Sequence, residues 1–86
     1  MKKNIDELLI QGIKAHKERN LNEAERLYRE ILKKTPSHPD ANHNIGVLAL
    51  EVGKFDEALT FIEKAVANNP HKEQYWLSLI ELLIKR

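Results

Sequence analysis

Shifted by 34 positions, the chain repeats itself, and no other feature of it limits the fold as strongly. Residues 5–38 align with 39–72 without a gap, and six pairs are identical: Asp6/Asp40, Gly12/Gly46, Ala15/Ala49, Glu23/Glu57, Ala24/Ala58 and Pro36/Pro70. The identities fall on Gly, Ala and Pro, residues that punctuate structure. Ile13/Val47, Leu21/Phe55, Asn22/Asp56 and Leu27/Phe61 are similar in kind. A repeat of this length marks one supersecondary unit that buries its apolar face only by stacking on its neighbours.

Each unit reads as two helices. Ile5, Leu8, Leu9, Gly12 and Ala15 recur at helical spacing and form one stripe. The polar run Lys17–Asn20 interrupts it. Asn22, with Glu25 three residues on, predicts an N-cap, and Leu21 before it a hydrophobic staple. Ala24, Leu27, Tyr28, Ile31 and Leu32 form the second stripe, which Pro36 ends. Ser37 or His38 then caps a third helix, with Pro39 in its first turn, where a missing N–H is tolerated.

The second unit follows suit. Ala41, Ile45, Ala49 and Val52 form one stripe, Gly53 supplies a left-handed C-cap, and Asp56 predicts a cap for the next helix. Ala58, Phe61, Ile62, Ala65 and Val66 form the following stripe, which Pro70 stops. Beyond Lys72 only one more helix fits, with Tyr75, Trp76, Leu79, Ile80 and Leu83 as its stripe. Connections this short force antiparallel neighbours. The expectation is an all-α single domain over 1–86: one repeat at 5–38, a second at 39–72, and an extra helix at 73–86.

The chain resembles the tetratricopeptide repeat family. Gly12 and Gly46, Ala24 and Ala58, Tyr28 and Ile62, Pro36 and Pro70, and Trp76 match its signature places. The resemblance implies a short right-handed superhelix of five helices whose first helices line a groove for a peptide or protein segment. Small residues at Gly12/Ala24 and Gly46/Ala58 suit this, because the distance between helix axes follows side-chain size at the crossing. There are departures. Gln11 and Ala15 stand where larger apolar residues are common, and Ile80 stands where a small one is expected.

Charge and composition narrow the function. Fourteen basic against 13 acidic residues leave a net +1, so neither a nucleic-acid footprint nor a polybasic membrane anchor is expected. The longest apolar runs, such as Val47–Leu50, are far too short to cross a bilayer, and Asp6, Glu7 and Gln11 interrupt any export signal. Absence of Cys excludes disulfides and thiolate metal sites and fits the cytoplasm, the expected location. No phosphate loop, dinucleotide fingerprint, HExxH or nucleophile elbow is present, so no enzymatic activity, cofactor or metal is expected. His16 and His43 could share a face with Asp40 across two units; the plainer reading is solvent-exposed or capping histidines, His16, His38, His43 and His71 alike. The carboxylates pair with bases one turn away, as in Glu25–Arg29 and Glu30–Lys34, and form a solvated face.

By position, the resemblance places Leu9, Ile13, Lys17, His43, Asn44, Val47 and Glu51 in the peptide-binding groove. Two readings of Leu9, Ile13 and Val47 stand side by side: a sticky groove, or helix-to-helix packing. Asn44 can donate to and accept from a ligand backbone at once. It resembles one rung of the asparagine ladder of the O-GlcNAc transferase family, the equivalent places being Ile10 and Ser78. The basic residues of the carboxylate-clamp type are absent; Leu9, Ile13, Gln74 and Ser78 occupy those places.

The last helix is apolar almost all round: YWLSLIELLI, residues 75–84. Such a helix calls for cover. Either a following helix supplies it in a longer protein, or a second copy does, giving a homodimer through Trp76, Ile80 and Leu83. The expected function is a non-catalytic scaffold. The alternatives are the docking segment of a glycosyltransferase- or sulfotransferase-type enzyme, or a self-association module.

Overall fold

The computed structural model describes residues 3–86, and these form five helices: α1 (Ile5–Lys17), α2 (Leu21–Lys34), α3 (Pro39–Glu51), α4 (Phe55–Asn68) and α5 (Glu73–Lys85). The chain is an all-α helical repeat, 42 Å in its longest dimension and 18 Å in its shortest. Sequential helices pack on one another, α1 on α2, α2 on α3, α3 on α4 and α4 on α5. Two further contacts join the first helices of successive units, α1 to α3 and α3 to α5. The first helices therefore form one wall of the stack.

The buried residues follow the stripes. Leu8, Gly12 and Ala15 of α1 meet Ala24, Leu27, Tyr28 and Ile31 of α2. In the second unit Gly46 and Ala49 receive Ala58, Ile62 and Ala65. Helix α3 lies between both pairs and is the most enclosed, with Ala41, Asn42, His43, Ile45, Leu48 and Leu50 also buried. Val52 is not part of that stripe. It is the C-cap of α3, 47% exposed, one residue past the helix.

The turns are partly as predicted. His38 is the N-cap of α3, its Nδ1 accepting from Ala41 N at 3.1 Å, and Gly53 takes φ 80°. Asn22 and Asp56 do not cap. Helices α2 and α4 begin earlier, at Leu21 and Phe55, behind Asn20 and Lys54, and no side chain caps either end. The wide turn of the repeat brings the chain into each second helix through a tight left-handed residue, so the staple residues Leu21 and Phe55 already lie inside the first turn. In the second unit that residue is Gly53; in the first it is Arg19, at φ 62°. A side chain in this region costs about 1–2 kcal/mol relative to Gly, so the first unit carries strain that the second avoids.

In α5 the apolar residues divide between a buried and an uncovered face, the latter holding the three residues expected to need cover. Tyr75 and Leu82 are buried, while Trp76, Ile80 and Leu83 are 43%, 52% and 55% exposed. The repeat explains this. One and two units earlier, the equivalents of these three are Asn42, Gly46, Ala49 and Leu8, Gly12, Ala15, which receive the unit's own second helix. Within the described residues α5 has no such companion.

Candidate protein-binding groove

The wall of first helices holds a recess of about 310 Å³ lined by Ile13, His16, Lys17, Arg19, Asn44 and Glu51. Ile13, Lys17, Asn44 and Glu51 thus come together here. Leu9 and Val47 are half-buried on the same helices, Leu9 packed against the core, and neither lines the recess.

Two polar clusters staple the wall. At the recess, His16 Nδ1 lies 3.2 Å from the Tyr28 hydroxyl and Nε2 lies 2.5 Å from Glu51 Oε1. The Arg19 guanidinium meets the other Glu51 oxygen at 3.4 Å. Burial, with help from the Glu51 charge, pushes the Tyr28 phenol up to about 12, so its O–H donates to His16 Nδ1. The remaining imidazole proton is on Nε2 and donates to Glu51. His16 is a structural link between two units, neither exposed nor capping. Its only trace in the sequence is that His16 and Glu51 are 35 apart, one repeat plus one residue, a spacing that places them at the same end of neighbouring first helices.

Further along, α3 and α5 are joined the same way. His43 is 4% exposed, its ring 4.8 Å from that of Tyr75. Its Nδ1 lies 3.1 Å from Asn44 Oδ1 and its Nε2 2.7 Å from Ser78 Oγ. Asp40 accepts from the Tyr75 hydroxyl and, at 2.8 Å, from Lys72 Nζ. His43 is therefore not open to a ligand. It is buried because its neighbour across the wall is the small Ser78, which lets the ring lie flat between helices. The Nδ1 proton fixes Asn44 Oδ1, which leaves the Asn44 amide N–H groups as the donors of the recess. No group of three or more His, Asp or Glu side chains with metal-holding geometry lies among the described residues.

The α3–α5 cluster makes folding sensitive to acid through two groups. Burial lowers the His43 imidazole below its ordinary 6.5, against the Asn44 bond and Asp40 charge that raise it. Burial also pushes Asp40 up, but Lys72 and Tyr75, by bonding the carboxylate, hold it below its ordinary 3.8. In both cases the unfolded chain takes up the proton first as pH falls. Stability is intact above the ordinary histidine value, declines as pH drops below about 6.5 through His43, and declines again below about 3.8 through Asp40. Denaturant midpoints measured from neutral pH to below 4 will show both declines, and His43→Gln will remove the first. A flat profile between neutral pH and 5 contradicts the assignment.

Among the described residues no helix is long and apolar enough to cross a membrane. A search of curated proteins finds no significant match. Among solved structures, an O-GlcNAc transferase mutant from Thermobaculum terrenum superposes with a TM-score of 0.92 at 27% sequence identity, over 98% of this chain and 17% of that one. The chain thus spans about a sixth of the length of that relative. The tetratricopeptide repeat profile matches residues 15–83, most of the chain, and the chain belongs to the tetratricopeptide repeat family.

Proposed function

We propose that the chain is a non-catalytic scaffold that holds a peptide or protein segment against its first helices. The observation that carries this is the recess between α1 and α3, where the free amide donors of Asn44 stand between apolar Ile13 and charged Lys17 and Glu51. Amide donors fix an extended backbone, Ile13 gives apolar contact inside the recess, half-buried Val47 extends that contact along α3 outside it, and the flanking charges select the register. Tetratricopeptide repeats generally bind protein partners, which supports the reading. The test is a peptide-array selection with the purified chain, followed by titration of the selected peptides. Asn44→Ala with Val47→Ala is expected to weaken binding by about 2 kcal/mol, roughly thirtyfold. Peptides bound equally well by this variant place the groove elsewhere.

The structural relative supports a second setting for the same activity, as the docking segment of a larger glycosyltransferase-type enzyme, since the part that superposes on this chain is only 17% of that one. The exposed face of α5 favours a further role in self-association. Trp76, Leu77, Ile80, Leu83 and Ile84 are each at least 43% exposed on one helix. Burying such side chains stabilises by about 1.5–3 kcal/mol each, a strong drive toward cover. Sedimentation across a concentration series will show dimer that Trp76→Glu with Leu83→Glu dissolves. A chain that stays monomeric at high micromolar concentration rejects self-association.

A further inference from the structure

The side of the molecule formed by the second helices carries a separate site. The backbones of α2 and α4 stand apart: no Cα of one lies within 8 Å of a Cα of the other, and only side chains reach across. Between them runs a furrow holding a cavity of about 340 Å³, larger than the recess on the first-helix wall. Its floor is apolar, made by Leu32, Pro36 and Phe61 above buried Asn42. Its rim is cationic on both banks: Arg29 and Lys33 on α2, Lys64 on α4.

Arg29 is only partly engaged by the protein, and the two lysines have no ion pair among the described residues. Arg29 is held over the Phe61 ring, its guanidinium carbon 6.0 Å from the centroid, and its Nε donates to Glu25 at 2.8 Å. Its two Nη groups, among the described residues, bond nothing, and these form the fork that a carboxylate fits. Neither Lys33 nor Lys64 has an ion pair among the described residues. One turn to either side of Lys64 stand Thr60, Phe61, Ala67 and Asn68, with no carboxylate. The one acid a turn from Lys33 is Glu30, which is 3.4 Å from Arg26. On a chain whose net charge is only +1, this is a local concentration of positive charge around an apolar floor, with two of the three cations unpaired among the described residues.

We propose that the furrow between α2 and α4 binds an acidic peptide segment carrying one large apolar side chain. The apolar side chain occupies the floor against Phe61 and Leu32. A flanking carboxylate takes the Arg29 fork, and further carboxylates face Lys33 and Lys64. The cavity is near the lower end of the size range of ligand sites, so it fits one anchoring side chain and not a drug-sized ligand or a helix. Charge complementarity across the rim sets the partner's sign and the salt dependence of the encounter. The site is distinct from the first-helix groove and does not depend on that reading.

The experiment is fluorescence anisotropy with a fluorescein-labelled peptide of alternating glutamate and glycine with one central phenylalanine. The same peptide with glutamine for glutamate, and a labelled single-stranded oligothymidylate, are run beside it. Saturable binding of the acidic peptide is expected, weakened about tenfold or more by Lys33→Glu with Lys64→Glu, and by the change to glutamine. Replacing the central phenylalanine by alanine in the peptide is expected to have a comparable effect. Both lysines are exposed, so the variant keeps its fold, which its helical circular dichroism and melting curve will show; Lys33→Gln with Lys64→Gln serves if it does not. Asn44→Ala with Val47→Ala, the groove variant, is expected to leave this binding unchanged. Absence of saturable binding, indifference to both lysine variants, loss of binding in the groove variant, or tighter binding of the oligonucleotide overturns the proposal.

Discussion

Gly46→Leu removes the cooperative thermal transition of this chain, or lowers its midpoint further than any surface substitution. A Cβ at residue 46 would lie 2.7 Å from Ile62 Cγ1, 3.2 Å from Phe61 Cβ and 3.3 Å from the Ala58 carbonyl oxygen. Ile62 is fully buried and cannot move aside, and the carbonyl belongs to the α4 backbone. The leucine branch would have to enter the same space, so α3 and α4 must separate along their whole contact. Overpacking typically costs about 1–3 kcal/mol and occasionally more. A chain of this size is stable by roughly 4–13 kcal/mol in all. Lys14→Leu, at an exposed place on α1, is the control and leaves the midpoint nearly unchanged. Melting curves of the two variants decide. A Gly46→Leu protein that melts with its parent contradicts the close crossing on which both units are built.

Tyr28→Ala has the other large effect. Tyr28 is fully buried, and it fills the first unit's crossing from the opposite side to Gly12. A Cβ at residue 12 would stand 2.6 Å from its Cε1 and 2.9 Å from its Cδ1. Truncating a buried aromatic costs about 3–5 kcal/mol. The hydroxyl adds a smaller part through its 3.2 Å bond to His16, so Tyr28→Phe is expected to lose about 1 kcal/mol. Gly12→Ala alone is also destabilising, because the ring has nowhere to go. Combined with Tyr28→Leu, however, the alanine methyl meets a smaller neighbour. The double variant is expected to be more stable than the sum of its parts predicts, with a coupling of about 0.5–3 kcal/mol. Chemical denaturation of the four proteins measures it, and strict additivity would show that the two residues do not share the crossing.

The two units solve the same crossing differently, and the sequence shows that much. Gly12 faces Tyr28 where Gly46 faces Ile62. Both pairs stand 16 residues apart in register, so a small residue opposite a large one is legible from the 34-residue shift alone. The same shift relates Arg19 to Gly53, but there the residues say opposite things. A glycine announces a left-handed residue and an arginine conceals one. The N-caps fail for a related reason. Asn22 and Asp56 have the right chemistry for a cap, yet the left-handed turn starts each helix ahead of them.

The groove was only partly legible. Ile13, Lys17, Asn44 and Glu51 could be assigned by position, because one repeat of spacing puts them on neighbouring first helices. His43 was assigned with them, but its exposure depends on what stands opposite, and Ser78 is small enough to admit it. His16 was not assigned to the groove, its one trace being the 35-residue spacing to Glu51, and it joins the recess through Tyr28 on one helix and Glu51 on another. The furrow between α2 and α4 had no signature at all, since Arg29, Lys33 and Lys64 look like ordinary solvated charges along their own helices.

What the sequence determined by itself is therefore periodic: five helices, their antiparallel order, and the small residues at each crossing, all of which follow from apolar spacing and a repeat that copies its own contacts. What the tertiary structure decided is everything that depends on which unit lies next to which. The chain folds Trp76, Ile80 and Leu83 into the same helical positions as Leu8, Gly12 and Ala15, yet the first set is exposed and the second buried. Burial is a property of the neighbour, and a local pattern fixes which face a residue occupies without fixing what, if anything, covers it.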